Sequence, residues 1–313
     1  MVGVIRLALQ IPNFSYGTGV AELYPTVIAQ AEEADRAGFD AVFVMDHFYQ
    51  LPMLGDPYQP MLEAYTALGG LAVATERVQL GTLVTGNTYR NPTLLAKAIT
   101  TLDVMSQGRA VLGIGTGWFE LEHKELGFEF GTFTDRFNKL YEALEIIVPM
   151  IEGRKATFSG SYYRVENATA EPRFRDRIPL LIGGSGEKKT IPLAARMFDH
   201  LNLIAGFDAL RGKVDVVRRC CEEIGRDPAT LETSTLVTVM VDDNLTEDML
   251  PEDLRGRMIV GSAERIAEQL KTKVLDAGVD GVVLNLPTSL QGYQPGHITA
   301  LAAALRPLVG GGV

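Results

Sequence analysis

The sequence predicts an α/β fold, a (β/α)8 TIM barrel formed by residues 1–313 as a single domain. Eight short apolar runs rich in β-branched residues alternate with stretches of helical periodicity. Several runs, VFVM and VVLNL among them, are almost entirely apolar, which is typical of parallel strands covered on both faces. A short internal repeat, AGFDAVFV at 37–44 and AGVDGVVL at 277–284, places equivalent helix–strand units near both ends of the chain, as a closed barrel requires.

The helices between the strands follow from the spacing of apolar residues. Between positions 133 and 151 these residues recur every three or four positions, which predicts one helix with a buried face. A second helix is predicted from Ser262, as the N-cap, to Gly278, as a helix-ending glycine. The eight predicted strands are residues 5–11, 41–45, 78–85, 110–115, 179–183, 201–205, 235–241 and 281–286.

Residues 153–177 interrupt this alternation and are predicted to be an insertion within the barrel. We expect a short hairpin around Ser159 and Gly160. Because long loops in compact folds often cover binding sites, the insertion is a candidate lid. A two-domain doubly wound fold is the alternative, but no Pro/Gly/Ser-rich segment is long enough to serve as its linker.

Composition narrows the classes of partner. The 29 Lys and Arg against 39 Asp and Glu give a net charge of −10, which disfavours nucleic acid and anionic membranes as partners. The two cysteines, Cys220 and Cys221, are adjacent, and no zinc-ligand spacing occurs, so no metal site is predicted. The N-terminus has neither the build of a signal peptide nor a membrane-length apolar span. We therefore expect a cytoplasmic protein that binds a small molecule, and a homodimer, since dimers are common.

The second predicted strand ends in MDHFYQ, which places Asp46 and His47 where barrel active sites gather. A histidine in this position serves as a proton donor or stabilises charge on a bound ring or substrate. The alternative is a histidine whose ring only caps the strand end by meeting a backbone carbonyl.

The third predicted strand ends in LGTLVTGNTYRNP. Thr82, Thr85 and Asn87 offer hydrogen bonds to a planar heterocycle, and Gly86 lets the backbone approach it closely. Arg90 either binds an anion or stays solvated while the following Asn-Pro pair starts the next helix.

The fourth predicted strand leads into VLGIGTGWFELEH, residues 111–123. A Rossmann fingerprint requires Gly-x-Gly-x-x-Gly, but Trp118 stands where the third glycine belongs, and three strands precede the motif. The dinucleotide fold is therefore excluded. Gly115 and Gly117 instead suit a strand end at which a flat ring lies against the backbone.

The second half of the same segment is rich in chemistry-bearing side chains. Trp118 is predicted to form a wall of the pocket, and Glu120 and His123 lie close enough in sequence to share it. We expect Glu122 and Glu125 to form a solvated helical face.

The fifth predicted strand ends in LLIGGSGEKKT. A glycine-rich turn leading into a helix offers backbone N–H groups and the positive end of the helix dipole, which favours phosphate binding. Lys188 and Lys189 add positive charge, and an ordinary glycine-rich turn is the alternative. The residues of this predicted cradle are Gly183, Gly184, Ser185 and Gly186.

Five segments in this order resemble the bacterial-luciferase-like superfamily, in particular its deazaflavin-using (coenzyme F420) oxidoreductases. They extend from about residue 30 to 287 and therefore cover nearly the whole chain. Their order and spacing together are specific. The segments are AEEADRAGFDAVFVMDHF, LGTLVTGNTYRNPTLLAKAITTLDVMSQGR, GIGTGWFELEH, LLIGGSGEKKTIPLAAR and AGVDGVVLNLP.

The resemblance implies an isoalloxazine-type ring at the carboxyl-terminal mouth of the barrel. In such proteins the ring is held by the aspartate after the second strand, here Asp46, and by the backbone at the end of the third strand, here residues 82–85. It further implies a cis peptide bond between Leu83 and Val84 behind the ring. The cofactor phosphate is implied near the cradle that contains Ser185.

One departure from the family pattern concerns the substrate. In the sugar-phosphate dehydrogenase branch a catalytic glutamate follows the Gly-Thr-Gly, and a tryptophan follows the histidine after the second strand. Here Trp118 takes the first position, and Tyr49 and Gln50 stand where the second is sought. Glucose 6-phosphate is therefore not the expected substrate, and Glu120 is the candidate to replace the missing glutamate.

The leading hypothesis is an oxidoreductase that transfers hydride between coenzyme F420 and a small organic substrate, with His47, Trp118 and Glu120 as the catalytic side chains. The alternative keeps the barrel but binds FMN, as a luciferase-like monooxygenase. A non-catalytic cofactor-binding protein is the third hypothesis, and the candidate lid argues against it, because a lid serves to enclose a substrate.

Overall fold

The computed structural model describes residues 4–252, 254–288 and 292–310. Their strands, in chain order, are β1 (Leu7–Ile11), β2 (Ala41–Val44), β3 (Gln79–Thr82), β4 (Thr85–Gly86), β5 (Ala110–Gly115), β6 (Ala156–Ser159), β7 (Arg164–Ala168), β8 (Leu180–Gly183), β9 (His200–Leu203), β10 (Glu232–Val241), β11 (Met258–Gly261) and β12 (Gly281–Asn285). The parallel path β12-β1-β2-β3-β5-β8-β9-β10 closes because β10 also pairs with β12. The predicted (β/α)8 barrel is confirmed.

Helices cover the outside of this barrel. Those of the described residues are α1 (Val20–Ala37), α2 (Ala64–Ala74), α3 (Pro92–Met105), α4 (Glu120–Leu126), α5 (Phe133–Ile151), α6 (Thr190–Met197), α7 (Phe207–Glu223), α8 (Ala263–Lys273) and α9 (His297–Val309). None of these helices combines the length and the apolar character needed to cross a membrane.

The predicted helices are found, with one difference at the end of α8. Helix α5 has the predicted bounds, and Thr132 and Asp135 form a capping box at its start. Ser262 caps α8 as expected, accepting from the N–H of Arg265. The α-helix ends before Val274, a short 3₁₀ turn follows, and Gly278 closes it with a left-handed φ of 93°.

Two strand predictions need correction. The third predicted strand is divided into β3 and β4, and the peptide bond between Leu83 and Val84, which lie between them, is cis, as the resemblance implied. The four-residue β11 was missed. It pairs with the carboxyl-terminal half of β10, outside the closed barrel. An apolar run of four residues is too short to predict a strand from its pattern.

The insertion contains the expected hairpin. Strands β6 and β7 pair antiparallel, and the Gly160 N–H donates to the carbonyl of Tyr163 across the turn. Glu142 of α5 accepts the backbone N–H groups of Ser161, Tyr162 and Tyr163 at 2.7 to 3.0 Å. These bonds tie the tip of the hairpin to α5. The function of the hairpin as a lid stays a prediction.

The barrel interior determines which side chains reach the mouth. Its apolar core includes Ala8, Phe43, Val111 and Val283, each at most 1% exposed. Because side chains alternate along a strand, residues two or four positions further along face the same interior. This phase carries Gln10, Asn202, Leu236 and Asn285 towards the carboxyl-terminal end of the barrel.

Candidate active site

The centre of the site is a hydrogen bond between a histidine and a glutamate. His47 Nδ1 lies 2.9 Å from Glu122 Oε2, and the histidine side chain is 14% exposed while that of the glutamate is fully buried. The other carboxylate oxygen accepts the backbone N–H groups of Phe48 and Tyr49 at 2.5 and 2.9 Å. Helix α4 therefore holds the loop after β2, and with it the imidazole.

The electrostatics of this pair set the orientation of the imidazole. Burial alone would raise the pKa of Glu122, but hydrogen bonds from His47, Tyr89 and the Tyr49 N–H hold this pKa below its usual value. The carboxylate is therefore ionised at neutral pH and accepts a hydrogen bond from the N–H at His47 Nδ1. Nε2 is left on the opposite side of the ring, available to a ligand.

The expectation that Glu122 is solvated was wrong. Glu122 lies three positions after Phe119, and His123 lies four positions after Phe119, so all three share one helical face. That spacing is the signal by which the sequence predicts burial here. Glu125 is exposed, as expected, and accepts from the Tyr58 hydroxyl at 3.2 Å.

Trp118 lies at the rim beside the histidine. Its side chain is 53% exposed, and its ring centroid is 5.8 Å from that of His47 in an edge-on arrangement. Glu120 is exposed at the first turn of α4, and no contact among the described residues joins its carboxylate to His47. His123 does not share the pocket: it is buried and bonded to the Phe119 carbonyl and the Thr88 hydroxyl.

Asp46 and Arg90 form an ion pair that is separate from the His47–Glu122 hydrogen bond. The Asp46 carboxylate accepts from Arg90 Nε at 3.0 Å and from the Gly86 N–H at 3.2 Å. Arg90 also binds Glu63 at 2.7 Å and lies over the ring of Tyr65. Arg90 is thus neither solvated nor free to bind an anion, which corrects both expectations for its side chain, whereas Asn91 and Pro92 start α3 as predicted. Asp46 fixes the segment after β4.

The hydroxyls predicted to meet a ring are buried instead. Thr82 Oγ1 lies 2.6 Å from Thr85 Oγ1, which lies 2.8 Å from the Tyr65 hydroxyl. Both threonines are at most 1% exposed, so they support the strand ends from behind. The partly buried Leu83 and Val84 pack on the barrel interior, and Gln10 Nε2 donates to the Leu83 carbonyl at 3.0 Å.

The glycines at the strand ends make room for protein atoms. A Cβ at Gly115 would lie 2.9 Å from a Val84 methyl group, and one at Gly183 would lie 3.3 Å from another. At Gly117, where φ is +76°, a Cβ would lie 2.4 Å from Thr88 Oγ1. We predicted that these glycines let a flat ring approach the backbone, but they make room for the side chains of Val84 and Thr88 instead. The room at Gly115 and Gly183 lets the Val84 side chain lie in the barrel mouth.

The predicted phosphate cradle is only partly free. The Gly184 N–H donates to the Asn202 carbonyl at 2.9 Å, and the Ser185 hydroxyl donates to the Ile204 carbonyl. Among the described residues no partner is found for the backbone N–H groups of Ser185 and Gly186. Helix α6 begins only at Thr190, so the unpaired donors of this turn are these two amides rather than a helix end.

Polar groups remain unpaired at the opposite side of the mouth. Asn285 Nδ2 donates to Gln10 Oε1 at 3.2 Å, and Asn13 Oδ1 accepts from Thr288 at 2.9 Å. The remaining amide atoms, Asn13 Nδ2 and Asn285 Oδ1, are buried without a partner in the described part of the chain. An unsatisfied buried polar atom costs about 1–3 kcal/mol, so these atoms favour a ligand with a polar edge. The described residues contain no group of three or more side chains suited to a metal ion.

These features define a class: a (β/α)8 barrel with a ligand site at its carboxyl-terminal mouth. Residues 6–250 match the family described as luciferase-like monooxygenase. This match covers more than half of the chain, so the chain belongs to the luciferase-like monooxygenase family.

Similar proteins share this family. The F420-dependent glucose-6-phosphate dehydrogenase of Microbacterium testaceum is 39% identical over 177 residues, 56% of this chain and 51% of that relative. The protein of the same name from Nakamurella multipartita is 36% identical over 196 residues, 62% and 56% of the two chains. The chain thus spans about half the length of the curated relatives it matches. The structure of an F420-dependent secondary alcohol dehydrogenase in complex with an F420-acetone adduct has a TM-score of 0.83 at 21% identity, covers 98% of this chain and 99% of that one, and shares the fold.

Proposed function

We propose that this chain is an F420-dependent oxidoreductase that transfers hydride between the deazaflavin and a small organic substrate. The observation that carries the proposal is the His47–Glu122 pair, whose ionised carboxylate presents imidazole Nε2 to the mouth. The names of relatives at 39% and 36% identity support the choice of F420.

The residues present fit such a cofactor. A planar ring with polar edges matches the unpaired amide atoms of Asn13 and Asn285, and the Leu83–Val84 segment offers a surface behind it. A phosphate on the side chain of the cofactor matches the free N–H groups of Ser185 and Gly186, with the exposed Lys188 two residues further on. Asp46 acts through β4 and the segment after it, which it holds by the Gly86 N–H and the Arg90 side chain.

Coenzyme F420, when bound, supplies a ring that accepts or releases a hydride. When the substrate is an alcohol, His47 Nε2 takes the hydroxyl proton as the hydride leaves the carbon, and in the reverse direction it returns that proton. Glu122 stabilises the imidazolium that results, as a carboxylate behind a catalytic histidine does. Trp118 covers the imidazole from the rim and limits the access of water.

The test is whether a panel of alcohols reduces oxidised F420 under anaerobic conditions. The loss of the visible absorbance of F420 measures the rate. We expect turnover with at least one alcohol and a fall of at least about 100-fold for His47→Asn, the usual contribution of a general acid–base group. His297→Asn is the matched control, because His297 begins α9 and no hydrogen bond or ring contact among the described residues joins it to His47. No turnover by the wild type, or equal rates for His47→Asn and the wild type, would contradict the proposal.

The second candidate is an FMN-dependent monooxygenase, which the description of the family favours. Reduced FMN reacts with oxygen, whereas the deazaflavin essentially does not. Oxygen uptake by protein supplied with reduced FMN, together with failure to bind F420, would select this candidate.

We also propose a homodimer of single-domain chains in the cytoplasm. The dimer is supported by exposed apolar side chains on α2 and α3, namely Val73, Leu94 and Met105. Sedimentation equilibrium checks the oligomeric state, with a single species of monomer mass as the contradicting result.

A further inference from the structure

Tyr89 reaches the His47–Glu122 pair from a third segment of the chain. Its hydroxyl donates to Glu122 Oε2 at 2.5 Å, the same oxygen that lies 2.9 Å from His47 Nδ1. Glu122 Oε1 accepts the N–H groups of Phe48 and Tyr49. The fully buried carboxylate therefore accepts four hydrogen bonds, and the one from Tyr89 has no part in the reaction proposed above.

The fold fixes the position of the Tyr89 hydroxyl. Tyr89 ends the short 3₁₀ turn Asn87–Tyr89, and Asp46 holds the residue before this turn through the Gly86 N–H at 3.2 Å. A Cβ at Gly86 would lie 2.6 Å from two carbons of the Tyr89 ring, so the glycine makes room for this ring. The rings that pack against it, with centroids 4.7 to 5.2 Å away, are those of Phe48, His123 and Phe128.

The Tyr89 hydroxyl is a donor to Glu122 and does not ionise. Burial, and then the neighbouring Glu122 carboxylate, raise the pKa of Tyr89 above its usual value, so the phenol keeps its proton at neutral pH. The positive end of the O–H dipole therefore points at the oxygen that also faces His47. A carboxylate oxygen that already accepts a strong hydrogen bond stabilises an imidazolium less than one that does not.

The other charged side chains on the elements around this carboxylate are engaged elsewhere or exposed. Asp46 and Arg90 pair with each other, and Arg136 of α5 donates to two backbone carbonyls. Glu120 and Glu125 of α4 are exposed. In the described part of the chain, the imidazole and the tyrosine hydroxyl supply the side-chain hydrogen bonds to the carboxylate.

We infer that Tyr89 is a positioning residue: its hydroxyl holds Glu122 in place and limits the attraction of this carboxylate for a protonated His47. The inference rests on the proposed function. When an alcohol is oxidised, its carbon–hydrogen bond breaks with the electron pair leaving to the deazaflavin, its hydroxyl proton passes to His47 Nε2, and a carbon–oxygen double bond forms. The imidazolium must then give the proton to water before the next alcohol is oxidised. A weaker attraction by Glu122 makes this release easier.

The titration of His47 tests the inference in the purified chain before any cofactor is added. The chain has four histidines, and the Cε1–H signal of His47 in an NMR spectrum is assigned by its loss in His47→Asn. Tyr89→Phe keeps the ring and its packing and removes the hydroxyl. We expect the pH midpoint of the His47 signal to rise by about one pH unit in Tyr89→Phe, because the carboxylate then stabilises the imidazolium more.

Two comparisons show whether the effect belongs to this hydroxyl and passes through this carboxylate. Tyr58→Phe is the matched control, because the Tyr58 hydroxyl bonds Glu125 on the same helix, and its His47 midpoint should equal that of the wild type. Once Glu122→Gln has removed the charge, a further Tyr89→Phe substitution should leave the midpoint unchanged.

Turnover with F420 and an alcohol gives a second readout. His47 must be neutral to accept the hydroxyl proton, so kcat falls as the pH is lowered. We expect the pH of half-maximal kcat to rise by about one pH unit in Tyr89→Phe, while KM changes less than about twofold. A merely structural role of Tyr89 would instead lower kcat at every pH and leave this midpoint in place.

The outcomes separate this inference from the proposed function. Equal His47 titration curves in the wild type and Tyr89→Phe, a downward shift, or an equal shift in Tyr58→Phe overturns the inference even when the wild type reduces F420. A shift of the same size in the Glu122→Gln background also overturns it. A rise of the midpoint in Tyr89→Phe alone, with no reduction of F420 by the wild type, overturns the proposed function and leaves the effect of Tyr89 on His47 standing.

Discussion

Charged side chains at the two ends of the barrel contact different kinds of groups. At the amino-terminal base, Arg6 joins Glu232 at 3.1 Å and Asp280 at 3.0 Å, so one side chain ties β1 to β10 and β12. At the mouth, Glu122 holds the imidazole of His47 rather than a neighbouring strand. Charges at the base therefore connect strands, whereas the buried Glu122 carboxylate near the mouth orients an imidazole. The comparison predicts that substitutions at the base change stability and those at the mouth change turnover.

The largest expected effect concerns His200 at the start of β9, on the base side. Burial lowers its pKa from 6.5 to about 4, and its Nε2 lies 2.7 Å from the Ser234 hydroxyl. The folded state therefore holds this histidine neutral. The free energy of unfolding is therefore undiminished by His200 above pH 6.5. It falls by about 3 kcal/mol as pH falls towards 4, at 1.36 kcal/mol per pKa unit, because only the unfolded state then binds the proton.

Urea unfolding of the wild type and of His200→Gln at pH 7 and at pH 4 checks this value. The wild type should lose about 3 kcal/mol more than the variant between the two pH values. The same loss in both proteins would show that His200 is not the group responsible. F420 binding at pH 7 should be equal in the two proteins, since His200 belongs to the base.

The next effect, at the mouth, is that of Glu122→Gln. The variant keeps the size of the side chain but removes the charge that compensates the imidazolium, and hydrogen bonds to charged groups are worth about 1.5–3 kcal/mol. We expect kcat to fall about 30-fold with KM nearly unchanged, and the Kd for F420 to change less than about twofold. Steady-state kinetics with a substrate found in the alcohol panel measure both constants.

Glu125→Gln is the matched control on the same helix, because Glu125 is exposed and bonds tyrosine hydroxyls, those of Tyr58 and Tyr49, rather than His47. Its kcat should equal that of the wild type. Equal losses in the two variants, or a rise in KM with kcat unchanged for Glu122→Gln, would contradict the positioning role of Glu122.

The smallest effect is expected for Arg6→Met at the base. Its side chain is 27% exposed, and burial raises the pKa of Glu232 while Arg6 opposes that rise. Removal of Arg6 leaves a half-buried carboxylate without its ion pair, which costs about 1 kcal/mol after allowance for solvent. Thermal unfolding should show the loss, and kcat should not change. A fall in kcat without a fall in stability would contradict the prediction that substitutions at the base change stability and not turnover.

The sequence was sufficient for the fold because strands and helices repeat local patterns. The eight strands and the hairpin follow from apolar runs and turn residues, and the family resemblance supplied the Leu83–Val84 cis bond. The four residues of β11 carry too little pattern, and their pairing with β10 depends on a partner about 20 positions away.

The site was less predictable because its contacts join distant segments. The Asp46–Arg90 pair and the contact of Val84 with Gly115 and Gly183 depend on how strand ends meet in space. Local spacing reveals the burial of Glu122, but its partner His47 lies 75 positions earlier. Strand ends therefore identify where a site lies, and only the packed structure shows which side chains face it.

The most direct test of the central claim is a fluorescence titration of the purified chain with oxidised F420 and, separately, with FMN. If the mouth is a deazaflavin site, F420 binds with micromolar or tighter affinity and FMN binds much more weakly. Tighter binding of FMN, or no binding of F420, would contradict the account.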